Sequence, residues 1–132
     1  MQSAQADWTL TFRRLGDLAD PTPRAHAAAL PDDPVAPPAF LDAWRPRWDA
    51  RLADDPRPPG ERAAAMRAAN PAVIPRNHRV EHALAAAATG DLAPFEALLS
   101  AIRRPFDDDA PQRPFMAPPG IDERVLRTFC GT

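Results

Sequence analysis

The chain has 132 residues, 16 of them Lys or Arg and 18 acidic, for a formal net charge of -2. That length supports the core of one ordinary domain, and the charge leaves no cationic surplus to track the phosphates of a nucleic acid, so no nucleic-acid partner is expected. All 16 of the basic residues are Arg, which excludes from these residues the chemistry that needs an ammonium group: a phosphate-cradling P-loop, a kinase-type ATP lysine, a Schiff base.

The 18 Pro against 5 Gly predict stiff connectors, and an Ala share of about one residue in five with no Tyr favours helix over strand. The expected fold is all-α, an irregular helical segment with Pro-rich connectors. Its apolar runs are far shorter than the ~20 residues of a membrane span, and Asp7, Arg13 and Arg14 stand where a signal-peptide core would lie. No membrane partner and a cytoplasmic location are expected. The single Cys130 has no second cysteine within the chain to pair with.

Trp8, Phe12, Leu15 and Leu18 recur at spacings of four, three and three and predict a first helix over 7–18 with that face inward. Asp20-Pro21-Thr22-Pro23 ends it, and the Pro-rich run 30–38 predicts a loop or linker. Phe40, Trp44, Trp48 and Leu52, with Leu41 beside them, predict a long core helix that bends at Pro46. After Pro58-Pro59-Gly60, a short Ala-rich helix over 61–69 presents Ala65, Met66 and Ala69.

Asn70-Pro71 closes that helix, and Pro75 suits the first turn of the next, whose face is Val80, Leu84 and Ala87 or Ala88 down to a left-handed cap at Gly90. Asp91 predicts the N-cap of a further helix with Leu92, Phe95, Leu98, Leu99 and Ile102 inward, ending at Arg103-Arg104 before Pro105. The short joint between these two helices predicts an antiparallel αα-hairpin over 76–104 that shares the core with the Trp-bearing helix. Residues 106–120 read as an extended crossover and 122–129 as a short final helix. The expected division is a helical segment over 1–104 and a Pro- and Asp-rich crossover with a tail helix and Cys130 over 105–132.

Several residues carry candidate chemistry. His78, Glu81 and His82 spell H-x-x-E-H, the spacing of two imidazoles one helical turn apart with a carboxylate beside them that inverted zinc proteases use. A third ligand would have to come from Glu96 or Glu123, and a peptide cleft is hard to build in so short a chain. The favoured reading is a helix N-terminus bonded to neighbouring backbone, with no metal. Arg76-Asn77-His78 suits an anchoring network in which Arg and Asn satisfy loop carbonyls near Asn70-Pro71. Trp44 and Trp48 suit a stacking platform but read better as core. Asp107-Asp108-Asp109 reads as a solvated acid run rather than a hard-cation site. Cys130, three residues from the end, is either an accessible thiol that reaches a partner sulfur or an inert cysteine packed beside Phe129.

The run Asn70-Pro71-Ala72-Val73-Ile74-Pro75-Arg76-Asn77-His78-Arg79-Val80-Glu81, then Gly90-Asp91, then Arg127-Thr128-Phe129-Cys130-Gly131-Thr132, resembles the C-terminal part of the selenoprotein O family. The stretch Asp7-Trp8-Thr9-Leu10-Thr11-Phe12-Arg13 and the helix bearing Trp44, Trp48, Arg51 and Leu52 look like the same family in the same order. The resemblance covers nearly the whole chain.

It implies a segment of a kinase-like fold, from a protein adenylyltransferase (a pseudokinase by ancestry) that uses ATP and Mg²⁺ to transfer AMP to hydroxyl side chains of other proteins. The family's nucleotide and metal residues match no position here, so the chain alone is expected to bind no cofactor and to hold no catalytic residue. Its partners would be a missing upstream kinase-like region and the protein substrates of AMPylation. Asn70, Pro71, Pro75, Arg76, Asn77, His78 and Glu81 carry over as a structural family motif, while His82 lies outside the matched stretch. Cys130 stands where some members carry selenocysteine, a residue thought to pair with a cysteine of the kinase-like region and make activity redox-sensitive. The chain is thus expected to be a non-catalytic fragment, Met1 being an internal methionine or a false start. The alternatives are a stand-alone helical interaction module derived from that family and, remotely, a zinc hydrolase.

Overall fold

The computed structural model describes residues 6–20 and 38–125, and all the regular structure among them is helical. The order is α1 (Trp8–Leu18), α2 (Pro38–Ala53), α3 (Pro59–Ala69), α4 (Asn77–Ala88), α5 (Ala93–Ile102) and α6 (Arg113–Met116), followed by a 3₁₀ turn at Ile121–Glu123. The chain packs as two units, Met1–Ala72 and Val73–Thr132.

In the first unit α1 starts at Asp7, whose carboxylate accepts from the Leu10 amide at 2.8 Å and so satisfies an orphan donor of the first turn. The helix packs against α3, but not through the face the spacing of Trp8, Phe12, Leu15 and Leu18 predicts. Of those four only Leu15 is buried, while Trp8 is 67% exposed and Leu18 41%. Leu10, Thr11, Leu15 and Ala19 are buried instead, flanking Gly16. The reason is backbone proximity: a Cβ on Gly16 would stand 3.3 Å from Arg67 Cγ and 3.6 Å from the Ala63 carbonyl oxygen. Two small residues, Gly16 and the fully buried Ala63, let the helices approach, and that approach, rather than the largest side chains, selects the inward stripe. Trp8 and Phe12 pack on each other instead, ring centroids 4.9 Å apart.

Helix α2 runs through Pro46, and Trp44 and Trp48 on either side of it meet edge to face at 5.6 Å. Both are half-buried, and no residue over 43–53 is buried, so the expected placement of this helix in the core is corrected. The aromatic spacing has a local cause, one Trp covering the other. In α3 the Pro-Pro-Gly sequence is a start rather than a break: Pro59 sits in the first turn, where its missing N–H costs nothing. The end comes at Asn70, held extended (ψ 111°) ahead of Pro71, with its side chain donating to the Met66 carbonyl at 2.7 Å.

In the second unit α4 and α5 form the expected hairpin, with Ala83, Leu98 and Ala101 buried. Gly90 takes φ 92°, and the amides of Gly90 and Asp91 return to the carbonyls of Ala87 and Ala86 at 3.0 and 3.1 Å, a Schellman stop. Asp91 acts one place earlier than a helix N-cap, its carboxylate accepting from the Ala93 amide at 3.0 Å, and Leu92 is left 54% exposed. Leu84 and Phe95, expected inward, are also exposed. The expected crossover contains α6, anchored by Met116 and by Gln112, which is 1% exposed. Of the expected final helix, 121–123 is a 3₁₀ turn, 124–125 is not helical, and the rest, with Cys130, lies outside the described residues.

Candidate functional site

The family-like motif divides at the boundary between the two units. On the first side, Asn70 follows the last turn of α3, where backbone carbonyls lack intrahelical donors. Arg13 of α1, 7% exposed, supplies them: its Nη1 donates to the Arg67 carbonyl at 2.7 Å and to the Asn70 carbonyl at 3.0 Å. Arg13 thus satisfies two carbonyls of this turn, a role that sequence reasoning did not single out. Its signal was present in Asp7-Trp8-Thr9-Leu10-Thr11-Phe12-Arg13, an arginine one step off the apolar face. Arg62 acts similarly, donating to the Leu52 carbonyl at 2.6 Å and to the Ala19 carbonyl at 3.5 Å.

On the second side, Ile74, Pro75, Arg76, Asn77 and His78 lead into α4. With Pro119, Arg124 and Val125 they line a pocket of about 450 Å³. Pro75 fixes the approach, Arg76 is the extended N-cap (φ -68°, ψ 133°), and His78 and Arg76 are each 8% exposed. Burial, with the charges of Arg79 and Arg76, pushes the His78 imidazolium pKa below its ordinary value, against an opposing pull from Glu123. The Glu123 carboxyl is held below the usual range by the Gly120 amide, which donates to it at 2.9 Å, and then by His78 and Arg79.

The H-x-x-E-H residues do not converge. His78 is buried, Glu81 and His82 are exposed, and Glu96 and Glu123 are exposed on other elements. Among the described residues no group of three His, Cys, Asp or Glu could hold a metal ion. Two members of the acid run pair with Arg104, whose Nη1 lies 3.2 Å from Asp107 and 3.4 Å from Asp109. No helix of the described residues is long and apolar enough to cross a membrane.

No family model matches the chain, and no solved structure does. Its sequence is similar from end to end to proteins named protein nucleotidyltransferase YdiU. The one from a Bradyrhizobium species is 52% identical over 133 aligned residues, that of Rhizobium etli 51% over 138, and that of Rhizobium meliloti 49% over 134. Each alignment takes in 100% of this chain and 26% of the relative, so the chain spans about a quarter of the length of the curated relatives it matches. At about half identity along its whole length, the chain is homologous to one segment of the proteins of the YdiU, or selenoprotein O, family.

Proposed function

We propose that these residues form a non-catalytic helical segment of a protein adenylyltransferase, a cytoplasmic enzyme that moves AMP from ATP to hydroxyl side chains of other proteins. The observation that carries the reading is the identity of about one half to named protein nucleotidyltransferases over the full 132 residues. The all-Arg cation set points the same way, since a lysine that grips ATP phosphates has to come from outside this chain. ATP and Mg²⁺ would bind in a kinase-like region beyond these residues, and the segment would pack against it. Trp8, at 67%, and Ile121, at 83% exposure, are large apolar side chains that such a neighbour would cover. Cys130 would form a disulfide with a cysteine of that region, two thiols losing two electrons and two protons to a disulfide oxidant, with loss of activity on oxidation.

The test is AMP labelling from ATP with Mg²⁺, comparing this chain with one extended to the length of its relatives. The expected outcome is labelling by the extended chain alone; labelling by the 132 residues overturns the reading. Cys130→Ser in the extended chain should remove the dependence of labelling on a dithiol reductant, and a dependence that survives would remove Cys130 from the redox reading.

A further inference from the structure

Helix α5 is apolar on more than one face. Of its 10 residues only Glu96 and Ser100 are polar, and one stripe, Leu98 and Ala101, is buried in the hairpin with α4. Beside that stripe, at spacings of three, four and three, stand Leu92, Phe95, Leu99 and Ile102. Leu92 is 54% exposed and Phe95 43%, while Leu99 and Ile102 are half-buried. Leu92 and Arg103 both keep helical backbone angles, so this second stripe runs the whole length of the helix. On α4, Ala83 is buried and the next residue, Leu84, is 52% exposed. Reversing the direction of a helix also reverses the side from which it meets its neighbour, so in an antiparallel pair the residues that follow the inward ones fall on the same side. Leu84 after Ala83 and Leu99 after Leu98 therefore share one broad apolar face of the hairpin. A helix with two apolar faces is stable when both are covered, and α4 covers one.

The border of that face carries a charge pattern that names its occupant. Glu96 and Arg103, both exposed, lie one heptad apart on the same edge of the stripe. Neither makes an ion pair or a side-chain hydrogen bond among the described residues, although the adjacent Arg104 pairs with Asp107 and Asp109. Glu96 precedes Leu99 by about 4.5 Å along the helix axis and Arg103 follows it by about 6 Å. A two-fold axis that sets two α5 helices antiparallel about Leu99 keeps the charged edges on one side of the seam and brings Glu96 of each copy level with Arg103 of the other. A parallel two-fold would send the two edges to opposite sides. The face is thus complementary to itself in charge as well as in apolar pattern.

We propose that this face pairs the chain with a second copy of itself, the two hairpins stacking into a four-helix assembly with α5 antiparallel to its mate. Leu84, Leu92, Phe95, Leu99 and Ile102 supply the buried surface, and the two Glu96–Arg103 pairs at its rim set the orientation. The pairing goes beyond the nucleotidyltransferase reading and does not depend on it.

Sedimentation equilibrium of the whole chain, at low salt and up to about 1 mM, tests this, with a monomer–dimer equilibrium expected. Arg103→Glu sets like charges against each other twice and should raise the dissociation constant about tenfold or more, as should Glu96→Arg. The two substitutions together exchange the charges and should restore pairing to within about threefold of the parent chain, a rescue that a merely structural role does not give. Phe95→Ser removes a half-exposed ring and should weaken pairing with no change of charge, and circular dichroism of each variant checks that the helices persist. A chain that is monomeric throughout overturns the proposal and leaves the face to a different partner. A dimer indifferent to Arg103→Glu and to Phe95→Ser, or a helical double variant that pairs no better than the single ones, overturns it as well.

Discussion

The two units end their helices in different ways. In the first, the carbonyls at the ends of α1, α2 and α3 are satisfied by guanidinium groups from distant parts of the chain: Arg13 reaches carbonyls 54 and 57 residues away, and Arg62 reaches carbonyls 10 and 43 residues away. In the second, α4 stops on its own backbone through Gly90, and α5 on Gln112, whose Nε2 donates to the Ala101 and Arg104 carbonyls, 11 and 8 residues away, at 3.3 and 3.0 Å. A long-range donor ties the stop signal to tertiary structure, so the helix ends only when the unit is assembled. A local one works in the isolated hairpin. The all-Arg composition takes on a structural meaning here, because a forked guanidinium can serve two carbonyls at once where an ammonium holds one point.

Breaking Arg13 should have the largest effect. Arg13→Met keeps the buried stem but orphans two carbonyls, and a loss of about 2–3 kcal/mol is expected in urea unfolding. Arg13→Lys should recover only part of it. Gln112→Leu removes two neutral donors from a site 1% exposed and should cost about 1–2 kcal/mol. Hydrogen exchange sharpens the contrast: loss of Arg13 should lower protection in α1 and α3 and leave the hairpin of α4 and α5 unchanged, while loss of Gln112 should do the reverse. Equal loss of protection across all four helices in either variant would show that the stops are not confined to their own units.

What was legible in the sequence follows the same division. The stop at Gly90, the hairpin and the boundaries of α1, α3 and α5 rest on signals within a few residues, and periodicity and cap chemistry read them to within two positions. The inward faces were misread where tertiary packing overrode residue size. Gly16 and Ala63 draw α1 and α3 together and leave Trp8 and Leu18 outside, which no spacing of apolar residues reveals. Helix α2 has a regular Trp repeat because one ring covers the other, not because either faces a core. At the candidate site, Pro75, Arg76 and Asn77 were singled out in sequence, whereas Arg124 was not, being 48 positions from Arg76 along the chain and brought to the pocket by the turn after Pro119.

Gly90 offers a smaller and purely local perturbation. Nothing lies within 4 Å of a Cβ placed there, so Gly90→Ala meets no neighbour, and its cost is the left-handed backbone alone, about 1 kcal/mol. The loss should appear in the thermal midpoint, with the amides of α1 and α3 unmoved; a loss above about 2 kcal/mol would mean the residue does more than end a helix.

The smallest effects are pH-dependent, and each unit has its own window. His78 in the second unit has a folded pKa below 6.5, because burial and Arg79 disfavour its charged form. As pH falls through 6.5 the unfolded chain takes the proton first, so stability declines there and levels off only below the folded value. Asp55 in the first unit has its pKa lowered from 3.8 to about 2 by the side chain and amide of Arg57, which donate to its carboxylate at 2.6 to 3.2 Å. Its contribution is complete above 3.8 and is lost as pH falls through about 2, and solvent around the half-exposed Arg57 keeps it small. Unfolding measured from pH 8 to pH 2 should therefore lose stability in two steps. His78→Asn should flatten the upper step and Asp55→Asn the lower, and an upper step that survives loss of His78 would show that His78 does not set that window.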